Sequence, residues 1–158
     1  MRIYLDLCAW NRPYDSWEDK RVKEEAFAVM RLLESPNVTI ISSKFAMRMI
    51  EEISSDIKYE HVYSLMREYA KEVVKGEAAM LNQATKVQHG CKLSKLEDAL
   101  HLIIACHGDA EYFITTDQEV LNKRGCIKLQ LRKLGFDINV ANPIDLVKKH
   151  GSDIQRKN

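Results

Sequence analysis

Four short runs rich in β-branched and aromatic residues, "RIYLD" at 2–6, "VTIIS" at 38–42, "YFITT" at 112–116 and "DINVAN" at 137–142, are separated by stretches whose apolar residues recur at helical spacing. Strands joined through helices imply a parallel sheet with right-handed crossovers. The first three runs are nearly apolar throughout, as in a sheet covered on both faces. The fold class expected is therefore α/β, a three-layer α/β/α sandwich around a central parallel sheet of four or five strands.

Between the strands, residues 17–35 carry Ala26, Val29, Met30 and Leu33 at helical spacing, and 43–54 carry Phe45, Ala46, Met49, Ile50 and Ile53. Residues 58–89 read as two helices broken near Gly76, and 95–107, "KLEDALHLIIACH", are apolar enough for a buried helix. Pro143 opens a last helix, "PIDLVKKH". The chain of 158 residues contains no repeat, linker or low-complexity segment, so 1–150 reads as a single domain and 151–158 as a disordered tail.

Charge is balanced, with 24 Lys and Arg against 23 Asp and Glu, so no global field draws in a nucleic acid or a membrane. Cys8, Cys91, Cys106 and Cys126 form no CxxC pair, and three of them sit in or beside apolar runs, the pattern of reduced thiols rather than a zinc site. Asp6 interrupts the N-terminal apolar segment and no run reaches membrane-spanning length, which predicts a soluble, cytoplasmic protein with no membrane partner.

Ligands of such sheets bind beyond the carboxyl ends of the strands. Asp6 ends the first strand, Asp117 follows "YFITT", and Asp98 lies near the start of a helix that opens at the same edge. Carboxylates sharing one pocket repel by about 4 kcal/mol per pair at 4 Å and an effective dielectric of 20, so such a cluster normally serves a divalent cation. Structural roles compete with this reading. Ser94 with Glu97 and Thr116 with Glu119 have capping-box spacing, which assigns both glutamates to helix starts. Asp117 also complements its helix dipole, His101 reads as a hydrogen-bonded helix histidine, and Trp10 and Tyr14 read as packing before base stacking. Asp98 directly precedes the apolar "ALHLIIA", where an acid has no packing role, and Asp6 carries a burial cost unless paired.

"YLD" followed by "NRPYD", "SS" opening a second helix, "LEDALHLIIA" and "FITTD" resemble the PIN-domain family, in its subgroup with an N-R-P element, over about residues 2–147. The resemblance implies a PIN-like sandwich and an Mg²⁺- or Mn²⁺-dependent endoribonuclease, as in the toxins of bacterial and archaeal toxin–antitoxin pairs. The partners it implies are an RNA substrate, an antitoxin protein and a second copy in a homodimer. The family's acidic positions carry over onto Asp6, Asp98 and Asp117 as catalytic and metal-holding residues, with Asn11 and Thr115 or Thr116 as polar neighbours. The family usually places a Glu about six residues after the Ser of its second helix, and from Ser43 that slot holds Met49. Glu52, one turn on and roughly on the same face, is the substitute metal ligand to consider, although Phe45, Met49 and Ile53 form an apolar stripe that a slide would misplace. Arg12, Lys44 and Arg48 flank the predicted edge as phosphate contacts, with Arg2 beside them.

Met49 also motivates a second reading, a catalytically degenerate PIN-like domain that binds RNA or a protein partner without cleavage. Two other acidic-pocket classes fall behind. A haloacid dehalogenase-type enzyme needs D-x-D after the first strand, where Cys8 stands, and the paired acids and late lysine of a response-regulator receiver are not evident.

Overall fold

In the computed structural model, which describes residues 1–52 and 56–154, β1 (Arg2–Leu5), β2 (Thr39–Ser43), β3 (Ala70–Val74), β4 (Tyr112–Ile114) and β5 (Asn139–Ala141) form one sheet in the order β3-β2-β1-β4-β5. Every neighbouring pair is parallel. The expected α/β sandwich around a parallel sheet of four or five strands is thus the observed fold, with five. Strand residues alternate between two cores: Ile3, Leu5, Ile40 and Ile114 point into one, Tyr4, Ile41 and Phe113 into the other.

The first core is covered by α1 (Leu7–Asn11), α2 (Lys20–Glu34), α3 (Lys44–Glu51), α4 (Asp56–Tyr69) and α9 (Pro143–Lys149). The second is covered by α5 (Leu81–Cys91), α6 (Leu96–His107), α7 (Gln118–Asn122) and α8 (Arg124–Lys133). Strand order reverses at β1, because the chain builds outward through β2 and β3 and then returns to place β4 and β5 on the other side. The crevice between β1 and β4 is therefore a topological switch point, the position where such sheets bind ligands.

The sequence reading missed β3, taken as part of a helical stretch. It is an edge strand whose Lys71 and Glu72 are exposed, so it lacks the apolar run that marks its neighbours. Arg2 holds it from two strands away by paired hydrogen bonds of 2.7 Å to both carboxylate oxygens of Glu72. The start of the expected tail, 151–154, is packed instead: Ile154 is fully buried in the first core, and Asn37 Nδ2 donates to the Asp153 carbonyl at 2.8 Å. Residues 155–158, the rest of that tail, and Ile53, the end of the apolar stripe, lie outside the described residues.

Two further expectations are corrected. Cys91 and Cys126 are joined in a disulfide, because α5 and α8 pack together and bring Cα atoms 35 residues apart in sequence to 5.8 Å. Only Cys8 and Cys106 are free, which removes the thiol argument for a reducing compartment. Arg12, expected at the substrate phosphates, is committed elsewhere. Its Nε donates to Glu25 at 2.6 Å and its Nη1 to Asp15 at 3.0 Å. Glu25 is buried and also accepts from Arg21 at 3.1 Å and from Asn142 at 2.9 Å, so the N-R-P segment clasps α1, α2 and the cap of α9 together. No helix among the described residues is long and apolar enough to cross a membrane.

Candidate functional site

β1 ends at Leu5, and Asp6 then caps α1 by accepting the Leu7 N–H at 2.8 Å on Oδ1. Its Oδ2 accepts the hydroxyl of Thr115, just beyond β4, at 2.9 Å, so a carboxylate only 5% exposed is fully engaged. Thr115 Oγ1 in turn accepts the N–H of Asp117 at 3.1 Å. Asp117 is the cap of α7 rather than its first residue: Oδ1 accepts the N–H groups of Glu119 at 2.8 Å and Val120 at 3.4 Å. Its Oδ2 has no hydrogen bond with the described residues. Asp98 enters from the first turn of α6.

These three acids line one open pocket of 550 Å³ at the carboxyl edge of the sheet, together with Met49, Lys95, Glu97 and His101. Their proximity is electrical as well as topographic. Asp98 is pushed up to about 7, first by burial and then by the charges of Asp6 and Asp117, with Lys95 pulling the other way. Among the described residues, however, no three His, Cys, Asp or Glu side chains stand together as a finished metal site. The donor chemistry still fits a hard divalent cation, because all three acids offer carboxylate oxygen and their mutual repulsion is left largely uncompensated.

Several expected residues take other positions. Glu52 is exposed at the C-cap of α3 and does not line the pocket, whereas Met49 does. The helix leaves the sheet edge at Ser43, so each further residue moves about 1.5 Å along the axis away from the strand ends. The apolar contacts of Ala46 and Ile50 hold it in that phase. Lys44 and Arg48 are exposed and, like Arg12, do not line the pocket. Among the described residues that line the pocket, the cation is Lys95.

Of the polar neighbours, Thr115 joins Asp6 to Asp117, Thr116 turns to Cys8, its N–H donating to Sγ at 3.3 Å, and Asn11 stands outside the lining. Trp10 is fully buried in the core, and Tyr14 stacks on His61.

Neither capping box forms. Ser94 donates its N–H and hydroxyl to Glu119 at 2.7 and 2.8 Å, tying the entry of α6 to α7 and holding the Glu119 carboxyl below its ordinary pKa. Glu97 is thereby released to the pocket wall, a role that its spacing from Ser94 concealed. Cys8 also lines the pocket, but burial and then Asp6 push its thiol up to about 12, so it is not a nucleophile near neutral pH.

Compared with known proteins, the chain matches no family model, and neither a curated protein nor a solved structure is similar enough to count as a relative.

Proposed function

We propose that this protein is a divalent-metal-dependent endoribonuclease of the PIN-domain type. The observation that carries the reading is the convergence of Asp6, Asp98 and Asp117 on one pocket at the switch point, with the Asp98 pKa raised first by burial and then by its acidic neighbours. Asp6, Asp98 and Asp117 would hold Mg²⁺ or Mn²⁺, which supplies Lewis-acid activation of water and stabilises charge on the phosphate.

The chain's own residues divide the remaining work. Thr115 fixes the Asp6 carboxylate and, through the Asp117 N–H, the start of α7, so two of the acids are oriented by one hydroxyl. Asp98, free of hydrogen bonds from described residues, is the carboxylate able to turn, and the proton that it holds near neutral pH without metal would be displaced by the cation. Lys95 offers a positive charge to the substrate backbone at the mouth.

Purified protein should cleave single-stranded RNA with Mn²⁺ or Mg²⁺, not with chelator, and Asp98→Asn should lose that cleavage by orders of magnitude. A toxin role and an antitoxin partner belong to this reading only through the resemblance. Growth arrest on induced expression, relieved by Asp98→Asn, tests them.

Met49 on the pocket wall favours one alternative, a relative that binds RNA or a protein without cutting. That reading wins if RNA binds and metal has no effect on it.

A further inference from the structure

His101 lines the same pocket and has no part in the scheme above. It is 2% exposed, and its two ring nitrogens differ sharply in surroundings. Nδ1 lies 2.8 Å from the Tyr4 hydroxyl, which lies 2.9 Å from Ser43 Oγ. Ser43 Oγ accepts the N–H of Ala46 at 2.9 Å and so caps α3. Nε2 is buried with no hydrogen-bond partner among the described residues. A buried polar atom left unpaired forfeits its hydration without return, and native proteins keep few of them.

Counting protons decides which nitrogen is which. Suppose Nδ1 accepts: Tyr4 then donates to Nδ1, Ser43 donates to the Tyr4 oxygen, and each hydroxyl proton has an acceptor. The proton of the neutral ring must then sit on Nε2. Suppose instead that Nδ1 donates: Tyr4 must point to Ser43, and the proton of the fully buried Ser43 has no acceptor among the described residues. Burial keeps the ring neutral against the pull of Asp6 and Glu97, with the Phe45 ring packed 4.8 Å away, centre to centre.

We infer that Ser43 and Tyr4 lock His101 as its Nε2–H tautomer, and that this N–H is a hydrogen-bond donor for a non-bridging oxygen of the substrate phosphodiester. His101 sits one turn after Asp98 on α6 and both line the pocket, so a phosphate drawn to the acids by a cation would lie on the ring's side of it. A protonated Nε2 has no lone pair to offer, which makes His101 a contact to substrate and excludes it from the metal ligands. Tyr4 and Ser43 act through it as positioning residues.

The inference rests on the phosphodiester reading, and its test separates the two. In ¹⁵N-labelled full-length protein, long-range ¹H–¹⁵N spectra of the imidazole should give a protonated Nε2 and a bare Nδ1, and Tyr4→Phe should disturb that assignment. Adding Mg²⁺ and then inorganic phosphate should move the Asp98 carboxyl and then the His101 Nε2–H. In RNA cleavage, His101→Gln, which keeps an N–H near the same place, should stay within about threefold of wild type. His101→Leu should lose about 10- to 100-fold in kcat/KM, with its melting temperature recorded alongside.

A proton on Nδ1 overturns the inference, as does a silent His101 in a pocket whose acids respond to Mg²⁺. Acids that do not respond to Mg²⁺ overturn the nuclease reading and this inference with it. The two failures therefore differ in which residue is silent.

Discussion

The hydroxyl of Thr115 donates to Oδ2 of Asp6 at 2.9 Å and thereby ties the ends of two adjacent parallel strands, β1 and β4, at the floor of the pocket. Thr115 is fully buried, so Thr115→Val keeps the shape, leaves Asp6 Oδ2 with only the Cys8 thiol at 3.4 Å, and takes the acceptor from the Asp117 N–H. The expected cost is about 1–3 kcal/mol in urea unfolding, and Thr115→Ser should recover most of it. A Val variant as stable as wild type would mean that the bond contributes nothing.

Arg12 leads to a prediction of the opposite kind from its expected role at the phosphates. Arg12→Met keeps the apolar stem and removes the Nε donor from Glu25, a carboxylate 1% exposed. Leaving that charge short of a partner should cost about 3 kcal/mol in denaturant unfolding. RNA affinity of the folded fraction should be unchanged. A variant of full stability that binds RNA weakly would return Arg12 to the substrate.

Met49 and Glu52 separate by where α3 puts them. Met49→Glu adds an acid to the pocket wall, so it should tighten Mn²⁺ binding, raise any RNA cleavage, and destabilise the metal-free protein through added repulsion. Glu52→Gln should change none of these, since Glu52 is exposed at the helix end. Calorimetric Mn²⁺ titration of both variants beside wild type decides it, and weaker binding in Glu52→Gln would count against the placement.

Asp98 should make the metal-free protein less stable as pH rises. A carboxyl whose folded-state pKa is raised from the ordinary 3.8 to about 7 binds its proton more tightly when folded than when unfolded. Its contribution is then complete below about pH 4 and lost as pH rises through about 7. Thermal melts with chelator should find Asp98→Asn more stable than wild type at pH 8, with the gap closing towards pH 4. Added Mg²⁺ should stabilise wild type more at pH 8 than at pH 5.

The strands of the sheet interior were legible because each is a buried run with a clear end, and the acids were legible because they stand where those runs stop. β3 was not, since an edge strand carrying Lys71 and Glu72 outward has no apolar signature. Capping patterns misled at Ser94 and Thr116, because Ser94 bonds Glu119, 25 residues on, in place of Glu97. Partners distant in sequence left no local trace: Cys91 with Cys126, Tyr4 with His101, and Arg12 with Glu25 are set by how helices pack. The N-R-P element was visible as a motif, but its work in delivering Arg12 to Glu25 on α2 was not.

The place of β1 at the middle of the sheet also sets a timetable. Ile3 pairs with Ile40 on one side and with Tyr112 on the other, so β1, synthesised before the other four strands, waits for about 110 further residues before its second neighbour exists. Contacts that span so much sequence close slowly, after the local helices have formed. Until β4 docks, Asp6 has neither Thr115 to hold it nor Asp117 beside it, and a nascent chain halted before residue 112 carries a half-sheet with no site. Whatever this pocket acts on, it can act only after the chain has been made through Asp117 and β4 has docked beside β1.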